Sequence, residues 1–183
     1  MRILAAALVA LAAVPARAAE VSGVKVAESV VLDGMALTLN GAGVRKKFIV
    51  KVYVGALYLP ARTSDATAVV ALDQPKAVRM HFLRDVERGS IFGAIRDGFE
   101  SNSRAQLPQL EPKLKLLEQG LPAEVKEGQV VQVSWVPGKG STVALEGGTS
   151  VTVEGKDFGD ALFRVWFGED PVDSGLKDAM LGR

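Results

Sequence analysis

Arg45, Lys46 and Lys47 stand in a row near the head of "GVRKKFIVKVYVGALYLP", residues 43–60, and both tyrosines of the chain, Tyr53 and Tyr58, follow within it. Arginine carries a planar fork of donors that suits a carboxylate or a phenolate. A tyrosine hydroxyl close by would be a second donor in otherwise apolar surroundings. The chemistry on offer is the holding of an oxyanion. The plainer reading of the same residues is a solvated charge cluster at the entry to a strand.

Other chemistries find little footing. The 183 residues include no cysteine, so disulfides and thiolate metal sites are out, and the single His81 leaves no second imidazole for a relay. No Gly-x-Ser-x-Gly elbow occurs, so a serine triad has no support. "PGKGST" at residues 137–142 looks like a phosphate loop, but a glycine parts its lysine from its serine and a strand follows where a helix is required. Glu169 and Asp170 sit beside Pro171 at a helix end and read as a solvated cap. Trp135 and Trp166 read as core or cleft-lining aromatics. With 22 Lys and Arg against 21 Asp and Glu, the formal charge is +1, which argues against a nucleic-acid partner. No cofactor and no metal is expected.

These residues must be positioned by a mixture of strands and helices. In "VKVAESVVLDGMALTLNG", Asp33-Gly34 marks a hairpin and Asn40-Gly41 the close of the next strand. The β-branched and aromatic content of residues 43–60 continues as a strand until Pro60. Residues 63–73 read as a short helix. "KAVRMHFLR" alternates, with Val78, Met80 and Phe82 on one face and Arg79 and His81 on the other, so His81 is expected as a neutral side chain at a sheet surface. Ile91, Phe92, Ile95 and Phe99 recur at helical spacing in a helix starting near Ser90. Helical pattern continues through residues 107–120. Three strands follow, broken at Pro137-Gly138 and Gly147-Gly148. Phe158, Leu162, Val165 and Trp166 then share one helical face, and a last short helix covers residues 174–181. Strands, helices, hairpins and helices again predict an α+β protein with a mainly antiparallel sheet, helices on one face and a cleft between the layers.

The chain opens "MRILAAALVALAAVPARAAE". A basic start, 12 apolar residues from Ile3 to Val14 and the small-x-small Ala16-Arg17-Ala18 make the pattern of a secretory signal peptide over residues 1–18. An apolar run that short falls below the roughly 18 residues needed to span a bilayer; a retained anchor or buried helix is the alternative. Cleavage after Ala18 would remove two arginines and turn the charge from +1 to −1. No cysteine follows for lipid attachment, so a periplasmic domain over residues 19–183, without a stable membrane anchor, is expected.

The motifs together resemble a known family. "NGAGVRKKFIVKVYVGALYLP", "VRMHFLRDV", "GFESN", "VPGKGSTV" and "DFGDALFRVWFGEDPVDSGLKDAMLG" are similar, in order, to the bacterial chalcone isomerase-like family over about residues 21–182. The resemblance implies an open-faced β-sandwich, a large sheet with a helical layer and a ligand cleft between them. Plant chalcone isomerases of this kind add a phenolate oxygen to an unsaturated ketone. Related plastid proteins bind fatty acids, an arginine and a tyrosine holding the carboxylate.

Carried over residue by residue, the family's "GVR" falls on Gly43-Val44-Arg45, which makes Arg45 the arginine that meets the oxyanion. A threonine of the enzymes falls on Tyr53 and another on Val165. The enzymes' tyrosine and asparagine belong to the helix near Ser90, yet no Tyr or Asn occurs between Gly89 and Phe99. The resemblance therefore implies a non-catalytic carrier of a small amphipathic, fatty-acid-like acid. Its site would be Arg45 and Tyr53 with Ile91, Phe92, Ile95, Phe99, Leu162, Val165 and Trp166. The alternative is an isomerase or lyase acting on an enone or phenol; a third reading is an accessory protein whose cleft serves a protein partner. Geometry sets one condition. Eight residues of straight strand would part Arg45 from Tyr53 by roughly 26 Å. Both can touch one carboxylate only if a tight hairpin or bulge folds the chain back between Lys46 and Lys51, where no Gly, Pro or Asn announces a turn; otherwise Tyr53 is not a ligand partner.

Overall fold

The structure, a computed structural model, describes residues 19–183; the expected signal peptide lies outside the described residues. Eleven strands run β1 Ala19–Val21, β2 Val24–Val26, β3 Ser29–Leu32, β4 Met35–Lys47, β5 Val50–Leu59, β6 Lys76–Phe82, β7 Val86–Glu87, β8 Glu124–Val125, β9 Val130–Val136, β10 Gly140–Leu145 and β11 Ser150–Val153. Five α-helices interleave: α1 Ala66–Ala71, α2 Arg88–Asn102, α3 Leu107–Gly120, α4 Lys156–Phe167 and α5 Ser174–Met180. Seven strands form one antiparallel sheet in the order β11-β10-β9-β6-β5-β4-β3. The expected α+β architecture, a large antiparallel sheet with a helical layer, is the one observed.

Turn chemistry explains most of the connections. Asp33 and Gly34 adopt φ of 52° and 78°, the left-handed pair that a two-residue hairpin demands. Gly138 and Gly147 do similar work after β9 and β10. Residues 43–60, by contrast, are not one strand. They contain the end of β4, a turn at Phe48 and Ile49, and β5, with Lys47 paired to Val50. Asn40-Gly41 does not close a strand either. β4 runs through it, with Asn40 as an extra residue between the Leu39–Tyr58 and Gly41–Leu57 pairs. Asn40 turns its amide to the carbonyls of Thr63 and Met180 at 2.9 and 2.8 Å. Gly41 lies under the Ala179 carbonyl so closely that a Cβ would collide with it, which seats α5 flat on β4.

Each face of the sheet carries its own core. Leu57, Val78, Phe99, Leu114, Phe158 and Leu162 bury the face beneath the helices. Leu37, Val54, Ala56 and Tyr58 bury the opposite face with Val26 from the β1–β2 hairpin. Tyr58 donates its hydroxyl to the Ala27 carbonyl at 2.9 Å and so is spent on that side. His81, paired with Val54 and Val130, stands half-buried on the same side. Burial first, then the nearby Arg79, lowers its pKa and favours the neutral ring.

Lys76 is fully buried at the start of β6. Its Nζ donates to the Val69 and Val70 carbonyls at 2.8 and 2.7 Å and lies 4.6 Å from the centre of the Phe163 ring. It closes the last turn of α1, whose carbonyls have no helical partner. Burial lowers its pKa to about 7, with the charge of Lys156 adding to the effect.

Candidate functional site

The β4–β5 hairpin brings Arg45 and Tyr53 together. They face one another as a register pair, and the Arg45 guanidinium carbon lies 5.6 Å from the centre of the Tyr53 ring. The fold-back occupies two residues, Phe48 and Ile49, with φ of 56° at Phe48. One further irregularity matters: Arg45 pairs with Tyr53 and Lys46 with Lys51, so Val52 is an extra residue on β5. Val52 and Tyr53 consequently both join the core under the helices, although neighbours on a regular strand would point apart.

The pair opens into a cleft of about 1020 Å³ between the sheet and the helical layer. That is the upper end of the roughly 300–1,000 Å³ found for small-molecule sites. Its floor is Met80 and Phe82 from β6 with Val131, Val133 and Val143 from β9 and β10. Its roof is the α2 stretch of Ile91, Gly93, Ala94, Ile95 and Gly98. Val165 and Trp166 of α4 close one end, and Lys46, Lys47 and Phe48 border the mouth. A smaller hollow of about 340 Å³ lies by Asn40 and Arg62, where the Asn40 amide is tied to Thr63 and Met180 and Arg62 Nε donates to the Leu39 carbonyl at 3.0 Å.

The polar end of the cleft has donors to spare. Arg45 Nε is buried and has no hydrogen-bond partner. No ion pair among the described residues uses Arg45. The neighbouring Asp173 is engaged elsewhere, accepting from the backbone of Leu176 and of Lys46, each at 2.9 Å, as the N-cap of α5. Tyr53 is buried and its oxygen accepts from Trp166 Nε1 at 2.9 Å. The indole can only donate, so the tyrosine's own proton must point elsewhere. Burial raises the Tyr53 pKa, against the opposing pull of the Arg45 charge and the Trp166 bond, so the phenol stays protonated at neutral pH. A guanidinium over the Tyr53 ring and a phenol hydrogen without an acceptor, beside an apolar cleft floor, offer donors to an anion. A carboxylate is the group whose two oxygens match them.

Six of the nine expected site residues line this cleft: Arg45, Tyr53, Ile91, Ile95, Val165 and Trp166. Three do not. Phe99 and Leu162 are fully buried in the core, Phe99 with its ring 5.5 Å from that of Phe158, and Phe92 packs half-buried against the same core. All three lie on apolar faces of the right helices, but the cleft meets α2 along Ile91, Ala94, Ile95 and Gly98 and reaches the exposed Gly89 and the half-buried Gly93. A Cβ at either glycine would meet nothing within 4 Å. α2 and α4 meet instead at Gly98, where a Cβ would lie 3.0 Å from a Val165 methyl. The sheet residues of the floor were legible as an alternating strand pattern; which of them faced a void was not.

The profile of the chalcone isomerase-like family matches residues 18–182. A search of curated protein sequences finds no match to this chain. Among solved structures, the crystal structure of an Arabidopsis thaliana fatty-acid binding protein superposes with a TM-score of 0.58 at 16% sequence identity. The superposition covers 84% of this chain and 96% of that one. At that identity the likeness is one of fold.

Proposed function

The chain belongs to the chalcone isomerase-like family, and from that premise we propose that it is a non-catalytic binding or carrier protein for a fatty-acid-like carboxylic acid. One observation carries the reading. Arg45, with a buried and unpartnered Nε, faces Tyr53, whose proton has no acceptor among the described residues, in a cleft with an apolar floor whose lining also includes Asp85, Glu87, Asp97 and Asp170. The carboxylate would sit between these two donors and the hydrocarbon chain would run over Met80, Phe82, Ile91 and Ile95. The fold likeness to a fatty-acid binding protein supports the same assignment. The signal-like pattern of residues 1–18 supports a periplasmic location.

Catalysis of the isomerase kind would need a group to polarise a ketone above the cleft floor. The roof helix lines the cleft with Ser90, Asp97 and Ser101 beside glycine, alanine and isoleucine, and with no tyrosine.

The test is to purify the exported protein without detergent, extract it and identify bound small molecules, with native mass spectrometry of the intact complex. The expected result is a carboxylic acid bound one to one in the wild type and lost from Arg45→Ala. Absence of any acid from both, with no binding of added fatty acids, sinks the reading. Turnover of a chalcone to a flavanone would replace it with the isomerase reading.

A further inference from the structure

The turn that joins β4 to β5 is built against the usual rules. Two-residue hairpins favour Asn, Asp and Gly, because the backbone enters the left-handed region. Here the two residues are Phe48 and Ile49, with φ of 56° at Phe48, and they are 92% and 94% exposed. No other large apolar side chain among the described residues is as exposed, and Val50 beside them is 40% exposed. A bulky residue in the left-handed region is a genuine outlier and needs a reason outside local stability.

The charges around the turn supply that reason. Lys46 and Lys51 are a cross-strand register pair, a like-charge opposition that destabilises a hairpin on its own. Lys47 is the next residue, and all three lysines are exposed. None takes part in an ion pair among the described residues, and Lys51 reaches only the Ser22 hydroxyl at 3.2 Å. From Gly34 to Ser64 the chain contains no Asp or Glu at all. Two apolar side chains at a tip, collared by unpaired lysines, match the layered chemistry of an anionic bilayer, acyl chains within and acidic headgroups around them.

We propose that the β4–β5 hairpin tip docks this protein on an anionic lipid bilayer, Phe48 and Ile49 entering the acyl boundary and Lys46, Lys47 and Lys51 meeting the headgroups. The docking is peripheral and reversible: no helix among the described residues is long and apolar enough to cross a membrane. Its position gives it a use. Lys46, Lys47 and Phe48 also border the mouth of the cleft, so a bilayer held at the tip faces the opening directly. An amphipathic molecule could pass between the acyl layer and the apolar cleft without crossing bulk water.

Vesicle co-sedimentation tests this on the exported protein, purified as the cell makes it, with its N-terminus fixed by mass spectrometry. Every variant shares that N-terminus, so a difference between variants reports the tip. Wild type is expected to bind vesicles containing phosphatidylglycerol, more weakly at high salt, and to bind pure phosphatidylcholine vesicles poorly. Replacing the three lysines with glutamine should lower the partition coefficient about a hundredfold.

Phe48→Gly with Ile49→Ser gives the sharpest contrast. It should abolish vesicle binding while raising the melting temperature, because glycine relaxes the left-handed φ; a merely structural role for Phe48 predicts the opposite shift. Vesicle binding by this variant equal to wild type would overturn the proposal, as would a wild type that ignores anionic vesicles. So would self-association in sedimentation velocity that depends on the tip and is unaccompanied by vesicle binding, which would assign the tip to a second copy of the chain.

Discussion

Trp166 donates its indole hydrogen to the hydroxyl oxygen of Tyr53 at 2.9 Å, a bond between buried side chains 113 positions apart in sequence. It joins the sheet to the helical layer at the polar end of the cleft. It also fixes the polarity of the phenol, because an oxygen that accepts from Trp166 must send its own proton to another acceptor. Arg45, facing Tyr53 across the hairpin, makes that spot electropositive.

The two partners of this bond should prove coupled. Tyr53→Phe leaves the Trp166 N–H buried without an acceptor, at a cost of about 1–3 kcal/mol. Trp166→Phe removes the donor and trims the packing as well. The double variant should lose less stability than the two singles added together, with a coupling of at least about 0.5 kcal/mol in urea denaturation. Strict additivity would show that the bond contributes nothing.

Arg45→Ala should weaken fatty-acid binding about ten- to a hundredfold, the worth of a charge-assisted hydrogen bond. Arg45→Lys should recover only part of the loss, because a point charge replaces a planar fork. The proposed carboxylic acid would pair with Arg45 only when ionised, so affinity should fall as pH drops below about 5, the ordinary carboxylic range. Calorimetric titrations at neutral and acid pH check all three expectations.

Gly93 separates room from stability. A Cβ there touches nothing within 4 Å. Gly93→Ala should therefore stabilise the α2 interior by about 0.5–1 kcal/mol and spare ligand binding. Gly93→Phe should project a ring into the cleft and displace a long-chain acid from an intact fold. Thermal melts and a fluorescent fatty-acid competition assay distinguish the two effects.

Lys76 should leave a mark on the pH dependence of stability. Its pKa falls to about 7 in the folded protein, below the ordinary lysine value near 10.4 of the unfolded chain. Between those values the unfolded state binds more protons, so stability rises with pH from about 7 to about 10 and the penalty is greatest below 7. The neutral amine keeps two N–H donors, one for each of the Val69 and Val70 carbonyls. In Lys76→Met this rise should disappear, and urea midpoints at neutral and alkaline pH read it directly.

Where sequence and structure agree, one residue type had one physical job. Asp33-Gly34 announced its hairpin because aspartate and glycine enter the left-handed region readily, and Arg45 stood out because it falls on the arginine of the family's motif. Where they part, a local preference was overruled. Phe48-Ile49 reads as more strand, since nothing about a phenylalanine advertises a positive φ. Asn40-Gly41 reads as a turn, yet the glycine is there to admit the Ala179 carbonyl and the asparagine to tie Thr63 and Met180. The cleft was hardest of all, because no pattern of residue types says which of them border a void. Apolar periodicity finds the face of α2 that packs, and so it pointed to Phe92 and Phe99 in the core as readily as to Ile91 and Ile95 in the cleft.

The extra residue at Val52 has a consequence for how this hairpin can change. It breaks the in–out alternation of β5 once, between the part that carries the exposed tip and the part that carries Tyr53. The two parts therefore keep separate phase. A register change confined to the tip can be taken up at this joint, while Tyr53 continues to face Arg45. The hairpin's outer end is in that sense interchangeable: one scaffold can present differently built tips and leave the inner pair untouched.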